Sequence, residues 1–422
     1  MGQRFGTDGI RGRPPTSPLD PETTRRLGAV LGARFPGGIA LVRDTRESGL
    51  SLRDSLFAGL GAKALDLGVL PTPALSALLE EGIAGAGVAI TASHNPWRDN
   101  GLKVLGPGGR KLLREEELAI EAALDRDWPS GVGLPRQLRD AAARYQALVL
   151  GKLPPGRWLA GKSVVLDAAH GAGWQTAPAV LRHLGAEVDL VGGAPTGRNI
   201  NQDVGAVHPE ALARRVVEGG ASVGIGLDGD ADRCVLVDAS GRVVDGDAIL
   251  LLLARGPGVV GTVMSNGALE VALEMRGLGF CRAAVGDRSV SEEMRRRGWP
   301  VGGEPSGHIL LEDAFPTGDG LLAALRVLAG GLDLVTRLQD WKPFPQVNLA
   351  RAVSTKPPLE ELPAVARALD HVRDAGASQW VLRYSGTEPV IRVMVEAPRE
   401  ELARQLADGL AAEVLDAIAG AS

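Results

Sequence analysis

The sequence predicts an α/β protein of tandem mixed-sheet modules, closed by a smaller α+β domain. Three observations carry that expectation. Strand-like apolar runs alternate with helix-like segments through about the first 330 residues of the 422, the pattern of α/β units with mixed or parallel sheets. Prolines interrupt the rhythm at Lys152-Leu-Pro-Pro-Gly156 and at Trp341-Lys-Pro-Phe-Pro345, where a helix cannot continue. Beyond the second break the order becomes strand, helix, strand, strand, helix.

Taken in order, the first module reads as a strand over Ile39–Val42, an amphipathic helix over Leu52–Leu67 and a strand over Gly87–Thr91. After the Pro-Pro break the rhythm restarts with a strand over Ser163–Leu166, a helix over Thr176–Leu184, and strands over Glu187–Val191 and Cys234–Val237. A third module opens near Asp245, a boundary set by segment length. It runs through a strand at Val259–Met264, a helix at Leu269–Met275, and strands at Phe280–Ala284 and Ile309–Leu311. The last domain carries a helix over Leu359–Ala375 and a strand over Val390–Glu396. The expected domains are therefore 1–153, 154–246, 247–342 and 346–422, at ~100–200 residues or a little less each.

Composition excludes several functions. Forty-six basic side chains against 51 acidic give a net charge of −5, so bulk charge forces no nucleic-acid partner. At 4% aromatic content, base stacking is also poorly supplied. Two cysteines, Cys234 and Cys281, allow neither a disulfide framework nor a cysteine zinc site. No run approaches the ~18 apolar residues of a membrane span, and the opening residues lack a signal peptide's apolar stretch. A cytoplasmic enzyme is expected, with no membrane and no nucleic acid among its partners; oligomeric state is not readable.

Two motif matches fail on context. Gly156-Arg-Trp-Leu-Ala-Gly161-Lys162-Ser163 fits a phosphate loop, but that loop needs a strand before it and a helix after it. Here prolines precede and a strand follows. Gly224-Ile-Gly226-Leu-Asp-Gly229 fits a dinucleotide fingerprint, yet acidic residues follow where a helix should hold pyrophosphate.

Four constellations remain. In Asp228-Gly-Asp230-Ala-Asp232-Arg233, extended backbone would turn three carboxylates the same way. All-oxygen ligands suit Mg²⁺ or Ca²⁺; a calcium hand would need Gly and Glu where Arg233 and Ala239 stand, so Mg²⁺ is preferred over a solvated acidic turn. Thr91-Ala-Ser93-His94-Asn95-Pro96 places Ser93 in a surface loop at a strand's carboxyl end, as nucleophile, helix cap or turn former. Lys103 follows as a movable cation. Gly302-Gly-Glu304-Pro-Ser306-Gly-His308 offers Glu304 and Ser306 to vicinal sugar hydroxyls. His308 is either a proton exchanger or a structural hydrogen-bonder. Arg383-Tyr-Ser385-Gly386-Thr387-Glu-Pro389, with Arg392 soon after, is either a phosphate fork and amide nest or a hairpin with surface arginines.

Together, and in this order along the chain, these loops resemble the α-D-phosphohexomutase superfamily. Phe5-Gly-Thr-Asp-Gly-Ile-Arg11-Gly12 looks like its opening segment, and Asn199-Ile-Asn201 and His208-Pro209-Glu210 like connecting segments of its second domain. Gly6 to Gly12, Val285-Gly-Asp287-Arg288 and Ser385 to Pro389 are most similar to the members acting on glucosamine phosphate; phosphoglucomutases and phosphomannomutases are the rival reading, and a non-catalytic sugar-phosphate binder a second. Pro305, Tyr384 and Trp97-Arg98 depart from the usual pattern, which bears on substrate preference and leaves the phosphoryl chemistry intact. The resemblance implies four domains around a central cleft. It implies interconversion of glucosamine 6-phosphate and glucosamine 1-phosphate with Mg²⁺, glucosamine or glucose 1,6-bisphosphate being intermediate and activator. It also implies a phosphoryl group on Ser93, metal ligation by Ser93, Asp228, Asp230 and Asp232, and reaction-centre roles for Arg11, His94, Lys103, Arg233 and His308. Sugar contacts fall to Glu304, Ser306 and His308, and contacts to the non-reacting phosphate to Arg383, Ser385, Gly386, Thr387 and Arg392.

Overall fold

The computed structural model describes residues 5–6, 9–385 and 389–421. The chain divides into two compact units, Met1–Met264 with Cys281–Gln339, and Ser265–Phe280 with Asp340–Ser422.

Three sheets build the larger unit. The first contains β1 (Phe5–Gly6), β2 (Gly9–Gly12), β3 (Ile39–Arg43), β4 (Ala64–Val69), β5 (Ala86–Ile90), β6 (Asn100–Leu105) and β7 (Arg136–Gln137), in the order β1-β2-β6-β5-β3-β4-β7. It is mixed, as expected: β3 runs parallel to β4 and β5, while β6 lies antiparallel to β5 and β2. Its strands are apolar throughout because helices cover them; Ile39, Leu41, Val88, Ile90 and Leu102 pack with Leu27, Leu31, Leu52 and Leu56 of the helices Pro21–Arg34 and Ser48–Leu60. The helix expected over Leu52–Leu67 therefore ends seven residues early, and β4 takes up its tail. Gly61, at φ 58°, breaks the helix. Ala64, Leu65 and Leu67 suit helical spacing and a buried strand alike, an ambiguity that periodicity cannot resolve in a short apolar run.

The second sheet holds β8 (Ser163–Asp167), β9 (Glu187–Val191), β10 (Val223–Leu227), β11 (Cys234–Asp238) and β12 (Val243–Val244), ordered β12-β11-β10-β8-β9. The third holds β13 (Gly258–Thr262), β14 (Gly279–Ala283), β15 (Val301–Gly303) and β16 (Ile309–Leu311), ordered β14-β13-β15-β16. The turn at Gly156–Lys162 leads directly into β8, and β11 follows β10 with no helix between. Neither nucleotide-loop pattern has the helix it requires.

The smaller unit is an antiparallel sheet of β17 (Gln346–Ala352), β18 (Gln379–Tyr384) and β19 (Val390–Glu396), ordered β17-β19-β18. The helices Pro363–Asp374 and Glu400–Gly420 supply Val365, Val372, Leu406, Leu410 and Val414 to its core, beside Ile391 and Val393. The first of these helices starts at Pro363 and not at Leu359, since proline's fixed φ and missing N–H suit the first helical turn. Residues 265–280, which sequence assigned to the third module, group with this unit. Asn266 Nδ2 donates to Phe344 O at 3.0 Å and Gly267 N to Glu396 Oε1 at 2.7 Å. Among the described residues no helix is long and apolar enough to cross a membrane.

Candidate active site

Ser93 lies between β5 and β6 of the first sheet. On β6, Leu102 and Val104 join the apolar core, so Lys103 projects from the opposite face, paired across the ladder with Ala89 of β5. Arg11 sits on β2, opposite Gly101 of β6. Ser93 itself is 1% exposed, which corrects the expectation of a surface loop. No helix follows it, so helix capping is excluded. Its backbone is left-handed, at φ 51°, a conformation that costs a residue with a side chain about 1–2 kcal/mol. Thr91 Oγ1 accepts from Ser93 N at 2.9 Å, while Ser93 O accepts from Arg46 Nη2 and Asn201 Nδ2, both at 2.9 Å. From that backbone Ser93 Oγ donates to Asp228 Oδ2 at 2.5 Å. His94 Nδ1 lies 3.4 Å from the same Oγ. Burial, then the charges of Arg233 and Arg11, lower the basicity of His94. With Trp97, Arg98, Asn201 and His208, His94 lines a cleft of about 600 Å³.

The acidic loop joins β10 to β11. It is not extended: Leu227 and Cys234 pair antiparallel, so the intervening residues must reverse direction. They do so through a turn closed by Ala231 N to Asp228 O at 3.0 Å, with Ala231 at φ 57°. The carboxylates converge all the same, with one oxygen each from Asp228, Asp230 and Asp232 within 4.8 Å of the others. A Cβ on Gly229 would fall 2.5 Å from Ser93 O, so only glycine lets the two loops meet. Lys103 Nζ donates to Asp230 Oδ2 at 2.9 Å and Asp232 Oδ2 at 3.0 Å, and Thr72 Oγ1 to Asp230 Oδ2 at 2.6 Å.

The electrostatics of this loop call for a cation. Burial, and then the charges of Asp232 and Asp230, push the Asp228 carboxyl well above its usual range. Burial would raise Asp232 too, but Lys103 and His308 hold it well below. Among the described residues Asp230 Oδ1 and Asp232 Oδ1 are buried without a hydrogen-bond partner, a costly state for a carboxylate. Three clustered carboxylates with oxygens that accept no hydrogen bond fit a hard divalent cation, so the trio can hold a metal. Arg233 follows with its amide on Asp228 Oδ1 at 3.2 Å and Nε 3.9 Å from Asp232 Oδ1. Burial works against its charge, yet Asp232 and Asp228 raise its basicity.

The Glu304–His308 loop links β15 to β16 in a turn closed by Glu304 N to His308 O and Gly307 N to Glu304 O, both 3.0 Å. Gly307 has φ 86°, and a Cβ there would lie 1.9 Å from Cys234 O. Cys234 N donates to Gly307 O at 3.1 Å, which docks this loop on the start of β11. Glu304 Oε1 accepts from Gly286 N at 2.7 Å; exposed Ser306 donates to Glu304 Oε2 at 3.1 Å. His308 is buried, with Nδ1 3.6 Å from Asp232 Oδ1 and Nε2 3.4 Å from Asp287 Oδ2. Burial disfavours its charge, but the two carboxylates outweigh that and raise its pKa to about 10. Lys111 Nζ continues the alternation of charge, 2.8 Å from Asp287 Oδ2.

In the smaller unit, Arg383 of β18 and Arg392 of β19 are cross-strand partners, both exposed. Like charges placed opposite one another repel, so the pair suits an anion. Ser385 is buried; its amide donates to Val390 O at 2.9 Å and its carbonyl accepts from Lys356 Nζ at 2.6 Å. Gly386 and Thr387 lie outside the described residues.

The larger unit thus brings together Ser93, His94, Lys103, Asp228, Asp230, Asp232, Arg233 and His308. No local pattern pointed to Thr72, Lys111 or Lys356, and little pointed to Arg46. The one legible trace was Asp44-Thr-Arg46 directly after an apolar strand, a charged pair where burial is expected.

Comparison with known proteins agrees with this architecture. Four family models match in order: phosphoglucomutase/phosphomannomutase α/β/α domain I over residues 2–128, domain II over 156–241, domain III over 245–334 and the C-terminal domain over 347–413. A phosphoglucosamine mutase of Neisseria subflava is 42% identical over 436 residues, covering 97% of this chain and 98% of that protein. The crystal structure of a phosphoglucomutase/phosphomannomutase family protein from Burkholderia thailandensis superposes with a TM-score of 0.80 at 23% identity, covering 98% of this chain and 97% of that one. Aspergillus fumigatus N-acetylphosphoglucosamine mutase, solved with GlcNAc-6P and magnesium, gives a TM-score of 0.66 at 19% identity, covering 99% and 96%. The chain therefore belongs to the phosphoglucomutase/phosphomannomutase family, the α-D-phosphohexomutases, and within it is similar to the phosphoglucosamine mutases.

Proposed function

We propose that the chain interconverts glucosamine 6-phosphate and glucosamine 1-phosphate, passing a phosphoryl group between the sugar and Ser93 through a 1,6-bisphosphate. Its relatives' names support the substrate. The observation that carries the chemistry is the buried Ser93 Oγ, 2.5 Å from Asp228 Oδ2 in the acidic trio.

In the forward direction a sugar hydroxyl oxygen bonds to the phosphorus as the bond to Ser93 Oγ breaks. The hydroxyl proton leaves to a base, and Oγ regains a proton that it shares with Asp228. After the bisphosphate reorients, the second phosphoryl group returns to Oγ. Phosphoryl transfer needs alignment and charge stabilisation above all. Lys103, Arg233 and Arg11 are the cations proposed for that task, and His94, beside Oγ, a neutral hydrogen-bonding partner. Lys103 and His308 are the candidates for exchanging the sugar's proton, as acids in the ion pairs described and as bases once one has given up its own proton. Asp228, Asp230, Asp232 and an oxygen of phosphorylated Ser93 would hold Mg²⁺, which when bound neutralises charge on the phosphoryl oxygens. Glu304 and Ser306 would hold sugar hydroxyls, and Arg383, Ser385 and Arg392 the phosphate that is not reacting. We place the four domains at 1–153, 154–246, 247–342 and 346–422.

Side-by-side turnover of glucosamine, glucose and mannose phosphates, at one Mg²⁺ and activator concentration, tests the substrate. The highest kcat/KM is expected for glucosamine phosphate. A higher value for glucose or mannose phosphate would replace this reading with phosphoglucomutase or phosphomannomutase.

A further inference from the structure

The geometry points to Arg46 as a positioning residue for the phosphoryl-carrying serine, acting through the backbone of the Ser93 loop with Asn201 as its counterpart. Arg46 is fully buried. A guanidinium has five N–H donors, and each of the five here meets an acceptor. Nε donates to Asp44 Oδ2 at 2.9 Å; Nη1 to Pro96 O at 2.5 Å and Asp99 O at 3.0 Å; Nη2 to Ser93 O and Asn95 O, both at 2.9 Å. Four of the five acceptors are thus carbonyls of one seven-residue loop. Asp44 neutralises the buried charge and also accepts from Arg46 N at 3.0 Å.

From the other side of the loop Asn201 Nδ2 donates to two of the same carbonyls, Ser93 O at 2.9 Å and Asn95 O at 3.2 Å. Asn201 is itself in the left-handed region at φ 57° and 6% exposed. The Ser93 carbonyl therefore has two donors, one from each of the first two sheets' loops. That carbonyl belongs to the residue whose own φ is unfavourable, and such backbone persists only where its surroundings over-determine it. With its peptide plane fixed, the Cα–Cβ bond of Ser93 has one direction, and that direction carries Oγ to Asp228. Lysine cannot replace Arg46 in this task, since one ammonium does not span four divergent carbonyls.

This inference rests on Ser93 as phosphoryl acceptor, and the test separates the two. Wild type, Arg46→Lys and Asn201→Ala are dephosphorylated, then mixed with glucose 1,6-bisphosphate and Mg²⁺. Ser93 phosphorylation is followed in a single turnover by quenched-flow mass spectrometry, alongside kcat, KM and melting temperature. Misplacement of a reacting group by about 1 Å costs on the order of 10²-fold. Arg46→Lys is expected to lose about that much in both single-turnover rate and kcat, and Asn201→Ala about tenfold, with KM changed less than about threefold. A purely structural role would lower melting temperature but leave the folded enzyme's rates intact. Either variant, folded and phosphorylated at the wild-type rate, overturns the inference; if Arg46→Lys does not fold, Asn201→Ala decides alone. A wild type that never gains phosphate on Ser93 instead overturns the reading of the serine.

Discussion

Ser93 is held by its neighbours more than by its own preferences. Its left-handed backbone, two carbonyl donors and short bond to Asp228 are one arrangement seen at three atoms. Replacing Ser93 by Ala should abolish turnover, with at least a 10³-fold fall in kcat as expected for loss of a covalent carrier. Calorimetry should show a stability loss of only about 1 kcal/mol, one hydrogen bond's net worth. Residual turnover above a hundredth of wild type would contradict the role. Arg383 and Arg392 make a different prediction. The two lie directly opposite one another, so Arg392→Ala should remove that repulsion and weaken the hold on phosphate. Losing one charge-assisted bond to phosphate, worth about 1.5–3 kcal/mol, should raise KM about 10- to 100-fold with kcat less affected. Steady-state kinetics beside a melting curve checks both. The reactive loops were legible because their groups cluster within a few residues. Arg46, 47 positions from the carbonyl of Ser93, and Asn201, 108 positions from it, stand in short patterns that can be seen, but their action on that distant backbone was not legible from them.

Among the elements, turns decide what meets what. The Glu304–His308 loop sits on β11 because Gly307 lacks a side chain, and Gly307→Ala would set a methyl 1.9 Å from Cys234 O at φ 86°. The loop must move, and His308 with it. We expect kcat to fall at least tenfold, and a stability loss of about 2–4 kcal/mol, in the range for strain at a special backbone position. Wild-type kinetics in the alanine variant would contradict that docking. Asp319 caps the helix Gly320–Ala329, accepting from Leu322 N and from Tyr145 Oη, both at 2.9 Å. Burial pushes its carboxyl up to about 6. A raised carboxyl favours the fold while protonated: its contribution is full below the unfolded value near 4, and is lost as pH rises through about 6. Chemical denaturation of wild type against Asp319→Asn should show wild type losing relative stability between pH 4 and 7; a pH-independent difference would contradict it. Strands such as β9, β16 and β19 were readable to the residue because breakers bound their apolar runs. β4 was not, and the acidic loop proved to be a turn because antiparallel pairing of its flanking strands, a tertiary fact, overrides an extended reading.

Among the described residues of the whole molecule, one cluster of carboxylates is placed to hold a metal ion. Burial and two acidic neighbours push the Asp228 carboxyl well above its usual range, so a divalent metal binding there competes with a proton. Thermal stabilisation by a fixed excess of Mg²⁺ should therefore grow as pH rises. At 100 times Kd it should reach about 2.7 kcal/mol, and EDTA should abolish both stabilisation and turnover. A shift unchanged in an Asp228→Asn/Asp230→Asn variant would place the metal elsewhere. Tandem α/β architecture and the order of the loops were visible along the chain, because alternating strands and helices leave a periodic trace. The grouping of residues 265–280 with residues 340–422 in one compact unit was not, since it depends on Asn266 and Gly267 meeting Glu396, 130 and 129 positions away. The most direct measurement is peptide mass spectrometry of the purified protein before and after incubation with hexose 1,6-bisphosphate and Mg²⁺. Phosphate on Ser93, gained with bisphosphate and discharged by sugar monophosphate, is the expected result; an active protein whose Ser93 stays unmodified under both conditions would contradict the account.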